Sequence, residues 1–282
     1  MKRCYIILLL CLCFFNTTLL ASTMKLSNAD QFISYTEVGQ GKPLLLIHAF
    51  PTDQRLWQPQ LEGLKKHFHV ITLDLWGFGQ SSGGDGRAIS MSEYADEVKQ
   101  LLDYLNIDKA IIAGESMGGY IALAFLQKYT NKTAGLVLSN TQTLADSEEM
   151  KATREATALD VLENGIDSLI KGFMAKSLSP NASEEIKAYL YHILTQQKPT
   201  ALASALRGMA LRETTSHVLA TTTVPVLIIT GEFDKIISPQ QSVAMHALSK
   251  NSQLVILADA GHLSSFEQPN LWNQSVIDMF AY

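Results

Sequence analysis

A serine flanked by glycines carries the clearest chemical signal in this sequence. Residues 114–119 read GESMGG, so a G-x-S-x-G motif surrounds Ser116. The preceding residues 110–113 form a short apolar run, and residues 120–125 follow a helical pattern. This context predicts a sharp strand-to-helix turn that raises the serine hydroxyl above the end of a sheet. Ser116 is therefore a candidate nucleophile for acyl transfer, and the glycines allow backbone segments to approach closely.

A serine nucleophile needs a base and a group that orients the base, and both follow the ends of later predicted strands. Residues 225–230 have the pattern of a buried strand that leads to Asp234. Residues 253–257 predict another strand, and His262 comes shortly after it. Active groups of parallel sheets gather at the carboxyl ends of the strands. We therefore expect Ser116, Asp234 and His262 to meet at one edge as nucleophile, orienting acid and base.

Two other carboxylates compete with Asp234 for the role of the acid. Glu232 stands two residues earlier, and Asp146 follows the predicted strand at residues 135–138. The backbone turns beyond the end of a strand, so Glu232 and Asp234 need not share a face. The spacing of residues along the chain does not decide which of the three carboxylates is the orienting acid.

The order of patterns along the chain predicts the fold class. Strand and helix patterns alternate from about residue 31 to residue 139, and strand patterns resume at residue 224. This alternation predicts an α/β fold with a mostly parallel, doubly wound sheet. Residues 143–217 contain helical patterns only, which favours a helical cap inserted into a core of residues 24–142 and 218–282. The alternative is a helical layer that packs elsewhere on the core.

Four helices are predicted within this helical block. They span residues 147–164, 166–176, 183–196 and 200–212. Ile166, Ile170 and Met174 recur at four-residue spacing, with Phe173 beside them, and Met209 lies on a later helix. Such a stripe is typical of a helix face that packs into a core, so we interpret these side chains as core rather than as pocket lining.

Composition limits the classes of partner and cofactor. The 282 residues include 22 basic and 27 acidic side chains, for a net charge of −5. Charges are mixed along the chain without a basic run, so we expect no nucleic-acid partner. The sequence has no motif for a metal, a phosphate group or a dinucleotide, so we expect no metal and no cofactor. All three cysteines lie within residues 1–23, so the remaining chain cannot form a disulfide.

Residues 1–23 have the layout of an export signal. They begin with a basic pair, continue with an apolar run at residues 5–15 and end in small residues. The run is shorter than the roughly 20 residues that cross a bilayer. We therefore expect a periplasmic or secreted protein, cleaved after Ala21 or Ser22. In the alternatives, an uncleaved segment anchors the protein to a membrane, or translation from Met24 gives a cytoplasmic protein.

Five segments together resemble the α/β-hydrolase family, in the family's order and across nearly the whole chain after residue 24. They are LLLIHAFP at 44–51, DLWGFGQS at 74–81, GESMGG at 114–119, GEFD at 231–234 and GH at 261–262. Within the family, LSNT at 138–141, Ala145, Asp146, Glu149 and RGMA at 207–210 are similar to the 3-oxoadipate enol-lactonases and small carboxylesterases. This resemblance implies a serine hydrolase of small carboxylic esters or lactones that works through an acyl-enzyme.

The resemblance also implies roles for particular residues. The family order of Ser, Asp and His favours Asp234 as the acid. Two backbone N–H groups, of Phe50 and Met117, are expected to form the oxyanion hole. The family often has glycine where this chain has Ala49, which is compatible with the same loop if its φ is negative. We expect His48 to brace that loop through hydrogen bonds.

Several other activities use the same groups. They include hydrolysis of a carbon–carbon bond in a vinylogous diketone, thioester hydrolysis and perhydrolysis, and some proteins of this fold are small-molecule receptors. Serine at position 116 disfavours the branch that resembles haloalkane dehalogenases and epoxide hydrolases, because these have a carboxylate nucleophile there. The natural substrate and the oligomeric state do not follow from the sequence.

Overall fold

One eight-stranded sheet organises the protein. The computed structural model describes residues 22–25 and 31–282. The strands are β1 (Ser22–Lys25), β2 (Phe32–Val38), β3 (Lys42–Ile47), β4 (Phe68–Leu73), β5 (Ala110–Glu115), β6 (Thr133–Ser139), β7 (Val226–Gly231) and β8 (Ser252–Leu257). Their order in the sheet is β1-β2-β4-β3-β5-β6-β7-β8.

The sheet is mostly parallel, which confirms the predicted fold class. All pairs from β4 through β3, β5, β6 and β7 to β8 are parallel, whereas β1–β2 and β2–β4 are antiparallel. Strand β1 includes Ser22 and Thr23, which the sequence analysis assigns to the export signal. The rest of that predicted signal lies outside the described residues, and its cleavage stays a prediction.

Helices cover both faces of this sheet. They are α1 (Gln58–Leu64), α2 (Met91–Tyr104), α3 (Met117–Lys128), α4 (Glu148–Asn164), α5 (Asp167–Ser177), α6 (Glu184–Leu194), α7 (Pro199–Ala210), α8 (Ser216–Thr221), α9 (Pro239–Leu248), α10 (Ser264–Glu267) and α11 (Pro269–Phe280). Two short 3₁₀ turns occur at Gln54–Trp57 and Thr130–Lys132. No helix among residues 22–25 and 31–282 combines the length and the apolar composition needed to span a membrane.

Side chains of the buried strands contribute to two apolar cores, one on each face of the sheet. In β3, Leu45 and Ile47 belong to the core that includes α2 and α3, while Leu44 and Leu46 belong to the core that includes α1 and α11. Successive side chains of a strand point to opposite faces, so a continuous apolar run serves both cores at once. This is why the central strands lack an alternating polar pattern.

The chain between β6 and β7 contains α4 to α8 and no strand, and all of these residues are described. Helix α7 packs directly on the core, where the Ile89 N–H donates to the Ser204 carbonyl at 3.3 Å. A Cβ added at Gly208 would lie 1.7 Å from the Ile89 carbonyl oxygen, so no side chain fits at this contact. The division of the chain into a core and a cap stays a prediction.

We predict that Gly208→Ala destabilises the protein, because the new methyl group overlaps the backbone at Ile89. The expected loss in the free energy of unfolding is about 1–3 kcal/mol, measured by urea denaturation.

Gly172→Ala is the matched control, because Gly172 also lies within a helix but has no atom within 4 Å of an added Cβ. Higher helix propensity should leave that variant equal to the wild type or more stable by roughly 0.5–1 kcal/mol. Equal stability of the two alanine variants would contradict the close contact between Gly208 and the Ile89 backbone.

Candidate active site

Ser116 occupies a strained turn between β5 and α3. Its φ of 55° and ψ of −114° lie outside the regions that residues with side chains ordinarily adopt. A Cβ at Gly114 would lie 2.1 Å from the Gly118 carbonyl oxygen, and one at Gly118 would lie 2.2 Å from the Ile47 carbonyl oxygen. The structure thus has the sharp turn predicted from the GESMGG motif, and its glycines are required by close backbone contacts.

The structure brings Ser116, His262 and Asp234 together. The Ser116 Oγ lies 2.8 Å from His262 Nε2, and His262 Nδ1 lies 2.9 Å from Asp234 Oδ2. With its proton on Nδ1, the neutral imidazole donates to Asp234 and leaves Nε2 to accept from the serine hydroxyl. The three side chains are buried and come from the ends of β5, β7 and β8. This is the arrangement of a nucleophile, a base and an orienting acid.

Asp234 is held ionised beside the imidazole. Its Oδ1 accepts hydrogen bonds from the backbone N–H groups of Ile236 and Ile237, each at 2.9 Å. Burial acts to raise the pKa of Asp234, but attraction to a protonated His262 ring and the hydrogen bonds from His262, Asn140 and Ile237 outweigh burial. The pKa therefore stays below its ordinary value, and the carboxylate can stabilise a positive imidazolium.

The two rival carboxylates lie elsewhere. The Glu232 carboxylate accepts a hydrogen bond at 3.4 Å from the exposed backbone N–H of Asp259. Asp146 forms ion pairs with Arg154 and Arg212 instead of approaching the imidazole. Of the three candidates, only Asp234 therefore contacts His262.

Asn140 is a site residue that the sequence analysis missed. Its side-chain amide donates to Asp234 Oδ2 at 2.9 Å and to the Gly261 carbonyl at 3.1 Å, while its oxygen accepts from the Ser264 hydroxyl. It follows β6 with a φ of 47°, a conformation that asparagine tolerates better than most residues. An asparagine directly after a buried strand, at the same edge as the other site residues, is the signal that could have identified it.

Glu115 is a buried acid next to Ser116 that also contacts the segment following His262. Its carboxyl group contacts the Ser265 hydroxyl, lies 3.3 Å from the Ser265 N–H and lies 3.5 Å from the Ser139 hydroxyl. Complete burial raises the pKa of Glu115 to about 7, although the hydrogen bonds from Ser265 act to lower it. Glu115 therefore links β5 and β6 to the start of α10, and we interpret it as a structural residue.

The two backbone N–H groups predicted for the oxyanion hole belong to segments in direct contact. Phe50 follows β3, and Met117 begins α3. Gly118 packs against the carbonyl groups of Ile47 and His48, as the positions of an added Cβ show. Neither the Phe50 nor the Met117 N–H has an acceptor within the described chain. Both amides are thus available to a developing oxyanion, but this role stays a prediction.

His48 braces the loop that carries Phe50, as expected. Its Nδ1–H donates to the Ala49 carbonyl at 3.0 Å, and its Nε2 accepts from the Leu75 N–H at 3.1 Å. Burial lowers the pKa of His48 to about 4, so the ring stays neutral and can make both bonds. Ala49 is not among the described residues with positive φ, so alanine is compatible with this loop.

A cavity of about 740 Å³ opens onto the Ser116–His262 pair. Phe50, Ile236 and Ile237 form part of its wall, and residues of α4, α5 and α7 form much of the remainder. Ile170 and Met209 are buried in the cores, as expected, although Met209 also lines the cavity. Phe173 is only partly buried: it packs against a core and lines the cavity as well. The spacing of these apolar residues in the sequence could not distinguish core from pocket lining, because apolar side chains suit both surroundings.

The end of α5 is bound directly to the turn that carries His262. The Ser177 carbonyl accepts hydrogen bonds from the backbone N–H groups of His262 at 2.9 Å and Leu263 at 3.2 Å. The Glu267 carboxylate accepts from the N–H groups of Ser179 at 2.8 Å and Gly261 at 2.7 Å. The helical segment therefore helps to position His262.

No cluster of three or more His, Cys, Asp or Glu side chains in the described chain could hold a metal ion. The arrangement of Ser116, His262 and Asp234 can perform nucleophilic acyl transfer with these side chains and two backbone N–H groups.

We predict that Glu115→Gln changes how stability depends on pH. The pKa of Glu115 rises from its ordinary 4.5 to about 7 on folding, so the folded state binds more protons between these values. The wild type should therefore lose stability as the pH rises through this window, by about 1–3 kcal/mol. Glutamine does not titrate, so urea unfolding of the variant from pH 4.5 to pH 8 should lack this loss.

Glu62→Gln is the control, because Glu62 lies on the surface and, within the described chain, pairs only with Lys65. Its pH profile should follow that of the wild type. If the free energy of unfolding changed with pH in the same way for the wild type and for Glu115→Gln, burial would not raise the pKa of Glu115.

Comparison with known proteins agrees with this fold. A family model for the alpha/beta hydrolase fold matches residues 42–269. The chain is 25% identical to the (E)-2-((N-methylformamido)methylene)succinate hydrolase of Acinetobacter baylyi over 92% of this chain and 97% of that protein. It is 27% identical to 3-oxoadipate enol-lactonase 1 of the same organism, over 82% and 85%.

Among solved structures, a thermophilic esterase from Thermogutta terrifontis, with malate bound, superposes with a TM-score of 0.87. It is 31% identical, over 92% of this chain and 97% of the esterase. These relatives confirm the resemblance to the enol-lactonases and small esterases and support hydrolysis as the general class of reaction. The chain therefore belongs to the α/β-hydrolase fold family.

Proposed function

We propose that this protein is a serine hydrolase that cleaves small carboxylic esters or lactones through an acyl-enzyme. The observation that carries the proposal is the chain of contacts from Ser116 Oγ to His262 Nε2 at 2.8 Å and from His262 Nδ1 to Asp234 at 2.9 Å. The cavity that opens onto Ser116 is about 740 Å³, a size suited to small organic molecules.

In the first half of the reaction, Ser116 Oγ attacks the carbonyl carbon of the ester while His262 Nε2 takes the hydroxyl proton. The negative oxygen of the tetrahedral intermediate accepts hydrogen bonds from the Phe50 and Met117 N–H groups. When the intermediate collapses, the bond to the alcohol oxygen breaks and His262 donates its proton to that oxygen. Asp234 stabilises the imidazolium throughout this exchange.

In the second half, a water molecule replaces the alcohol. His262 takes a proton from the water as its oxygen attacks the acyl carbon, and the bond to Ser116 Oγ breaks as His262 returns the proton to it. The products are a carboxylic acid and the regenerated serine. In a lactone, the alcohol and the acid remain parts of one molecule.

The open cavity favours catalysis over a receptor role. Ser116 and His262 both line it, so a bound molecule can reach the nucleophile. The contacts among the three side chains are also complete, as turnover requires. Helices α4 and α5 supply much of the wall, which supports the view that residues 143–217 form a cap over the site.

We predict that Ser116→Ala abolishes hydrolysis of 4-nitrophenyl butyrate, because no nucleophile remains, while the far-ultraviolet circular dichroism spectrum stays unchanged. Ser168→Ala is the matched control, since Ser168 lines the same cavity from α5. It should alter kcat/KM by less than about threefold, as expected for a residue outside the reaction. Turnover of the Ser116 variant at the wild-type rate would refute the proposed nucleophile.

We also predict that Asp234→Asn lowers kcat for the same ester by about 10³–10⁴-fold, because the imidazole is held in the wrong tautomer. Glu232→Gln is the control, because Glu232 is the neighbouring carboxylate that does not contact His262. It should retain a rate close to that of the wild type. The reverse result, a slow Glu232 variant beside a fast Asp234 variant, would exclude Asp234 as the acid.

A further inference from the structure

Tyr120 carries a polar group close to Ser116 that the fold itself does not use. Tyr120 lies one turn after Ser116 in α3, and its backbone N–H donates to the Ser116 carbonyl at 3.3 Å. Its side chain is only 6% exposed and lines the cavity that opens onto Ser116. Within the described chain the Tyr120 hydroxyl makes no hydrogen bond, yet it is not among the unpartnered atoms that are sealed from solvent, unlike the Tyr94 hydroxyl. The Tyr120 hydroxyl therefore borders open space.

The Tyr120 ring is held in place by a guanidinium group. The Cζ atom of Arg212 lies 4.3 Å from the ring centroid. Arg212 is itself fixed, because its Nη2 lies 2.7 Å from Asp146 Oδ1 and its Nη1 donates to the Met209 carbonyl at 3.0 Å. A ring that is fixed in this way loses little conformational freedom when its hydroxyl binds a ligand.

Gln142 offers a second polar group in the same cavity. It follows Thr141, whose hydroxyl donates to the Ser116 carbonyl at 2.8 Å. Gln142 lines the cavity, and its side-chain amide has no hydrogen-bond partner among residues 22–25 and 31–282. Tyr120 and Gln142 also line a second cavity, of about 220 Å³. The two side chains therefore lie between two open spaces, and their polar groups are available to a ligand or to water.

The charged side chains that line the cavity at Ser116 balance one another. They are two cations, Arg154 and Lys176, and two carboxylates, Asp146 and Asp160. Arg154 and Asp146 form an ion pair. Because the lining has no net charge, long-range attraction does not select an ionised ligand over a neutral one. Hydrogen bonds from uncharged groups are then the means by which this wall can orient a ligand.

A substrate that displaces water from this cavity must replace the hydrogen bonds of Tyr120 and Gln142. An alkyl chain cannot do so, and a site whose polar groups are left unpaired discriminates against such a substrate. The phenolic O–H and the amide N–H groups are donors, so the matching atom of the substrate is an acceptor. An ether or ketone oxygen accepts these bonds without bringing a charge into the cavity.

We propose that Tyr120 and Gln142 form a subsite for an uncharged oxygen of the substrate. The substrate class is then an ester or lactone that carries an ether or ketone oxygen in addition to the reacting group. The two residues bind this oxygen and take no part in proton transfer. This inference rests on the proposed function for its reaction, but the subsite can also be tested by binding alone.

The hydrolytic test compares esters in which an ether oxygen replaces one methylene group. 4-Nitrophenyl methoxyacetate and 4-nitrophenyl butyrate differ in this way in the acyl group. 2-Methoxyethyl acetate and butyl acetate differ in this way in the alcohol. For each pair the readout is the ratio of kcat/KM for the ether ester to that for the alkyl ester. Dividing the ratio of a variant by that of the wild type cancels the intrinsic reactivity of the esters.

Tyr120→Phe should lower this ratio by about threefold to tenfold in at least one pair, because the variant keeps the ring and loses only the donor. Gln142→Met should lower the ratio in the same pair, because methionine has a similar length and no amide N–H. Tyr94→Phe is the matched control, since Tyr94 is also buried with an unpartnered hydroxyl in the described chain but does not line the cavity. Its ratio should stay within about twofold of the wild type.

The binding test uses the Ser116→Ala protein, so that no reaction is needed. The probes are methyl methoxyacetate and 2-methoxyethyl acetate, each compared with the alkyl ester of the same size by ligand-observed NMR titration. Adding Tyr120→Phe should weaken binding of at least one ether ester by about threefold to tenfold relative to its alkyl analogue.

Unchanged ratios in both ester pairs, together with unchanged relative affinities, would overturn the subsite and leave the proposed function intact. If the wild type hydrolyses none of the esters, the proposed function fails, and the relative affinities alone decide the subsite. Thermal unfolding of each variant verifies that it folds.

Discussion

The close approach of the end of β3 to the turn between β5 and α3 is the constraint on which the site depends. Gly118 lies against the Ile47 carbonyl with no room for a side chain, and Ser116 adopts a φ of 55°. The same contact brings the loop of Phe50 beside the first N–H groups of α3. One backbone contact thus sets both the exposure of the hydroxyl and the position of the proposed oxyanion donors. The strain is sustained because buried β strands surround the turn on either side.

Two acids lie close to one imidazole, and their surroundings give them opposite protonation states. Asp234 receives hydrogen bonds from two backbone N–H groups, from Asn140 and from His262, so its pKa is held down. Glu115 is completely buried, and this raises its pKa to about 7. Below that pH, Asp234 is ionised while Glu115 is protonated. Two negative charges therefore do not repel each other in this region of low dielectric. The different environments therefore separate an electrostatic role from a structural one.

The helical segment between β6 and β7 is bound to the site rather than merely placed above it. The Ser177 carbonyl holds the backbone of His262, and the Phe173 ring lies edge-on to the imidazole with centroids 6.5 Å apart. The same segment supplies the ion cluster of Asp146, Arg154 and Arg212 at the cavity wall. The position of the His262 backbone and the wall of the cavity therefore depend on one piece of chain.

The sequence by itself determined the class of fold, the turn at Ser116 and the placement of Asp234 and His262 after strands. These features follow from local patterns and from chain direction, because parallel strands deliver their carboxyl ends to one edge. Only the tertiary structure decided which distant groups meet: Asn140 contacts Asp234 from 94 residues away, and Glu115 contacts Ser265 from 150 residues away. It also decided that Asp146 pairs with arginines and that Phe173 lines a cavity. Such contacts depend on the relative orientation of packed elements, which the spacing of residues along the chain does not contain.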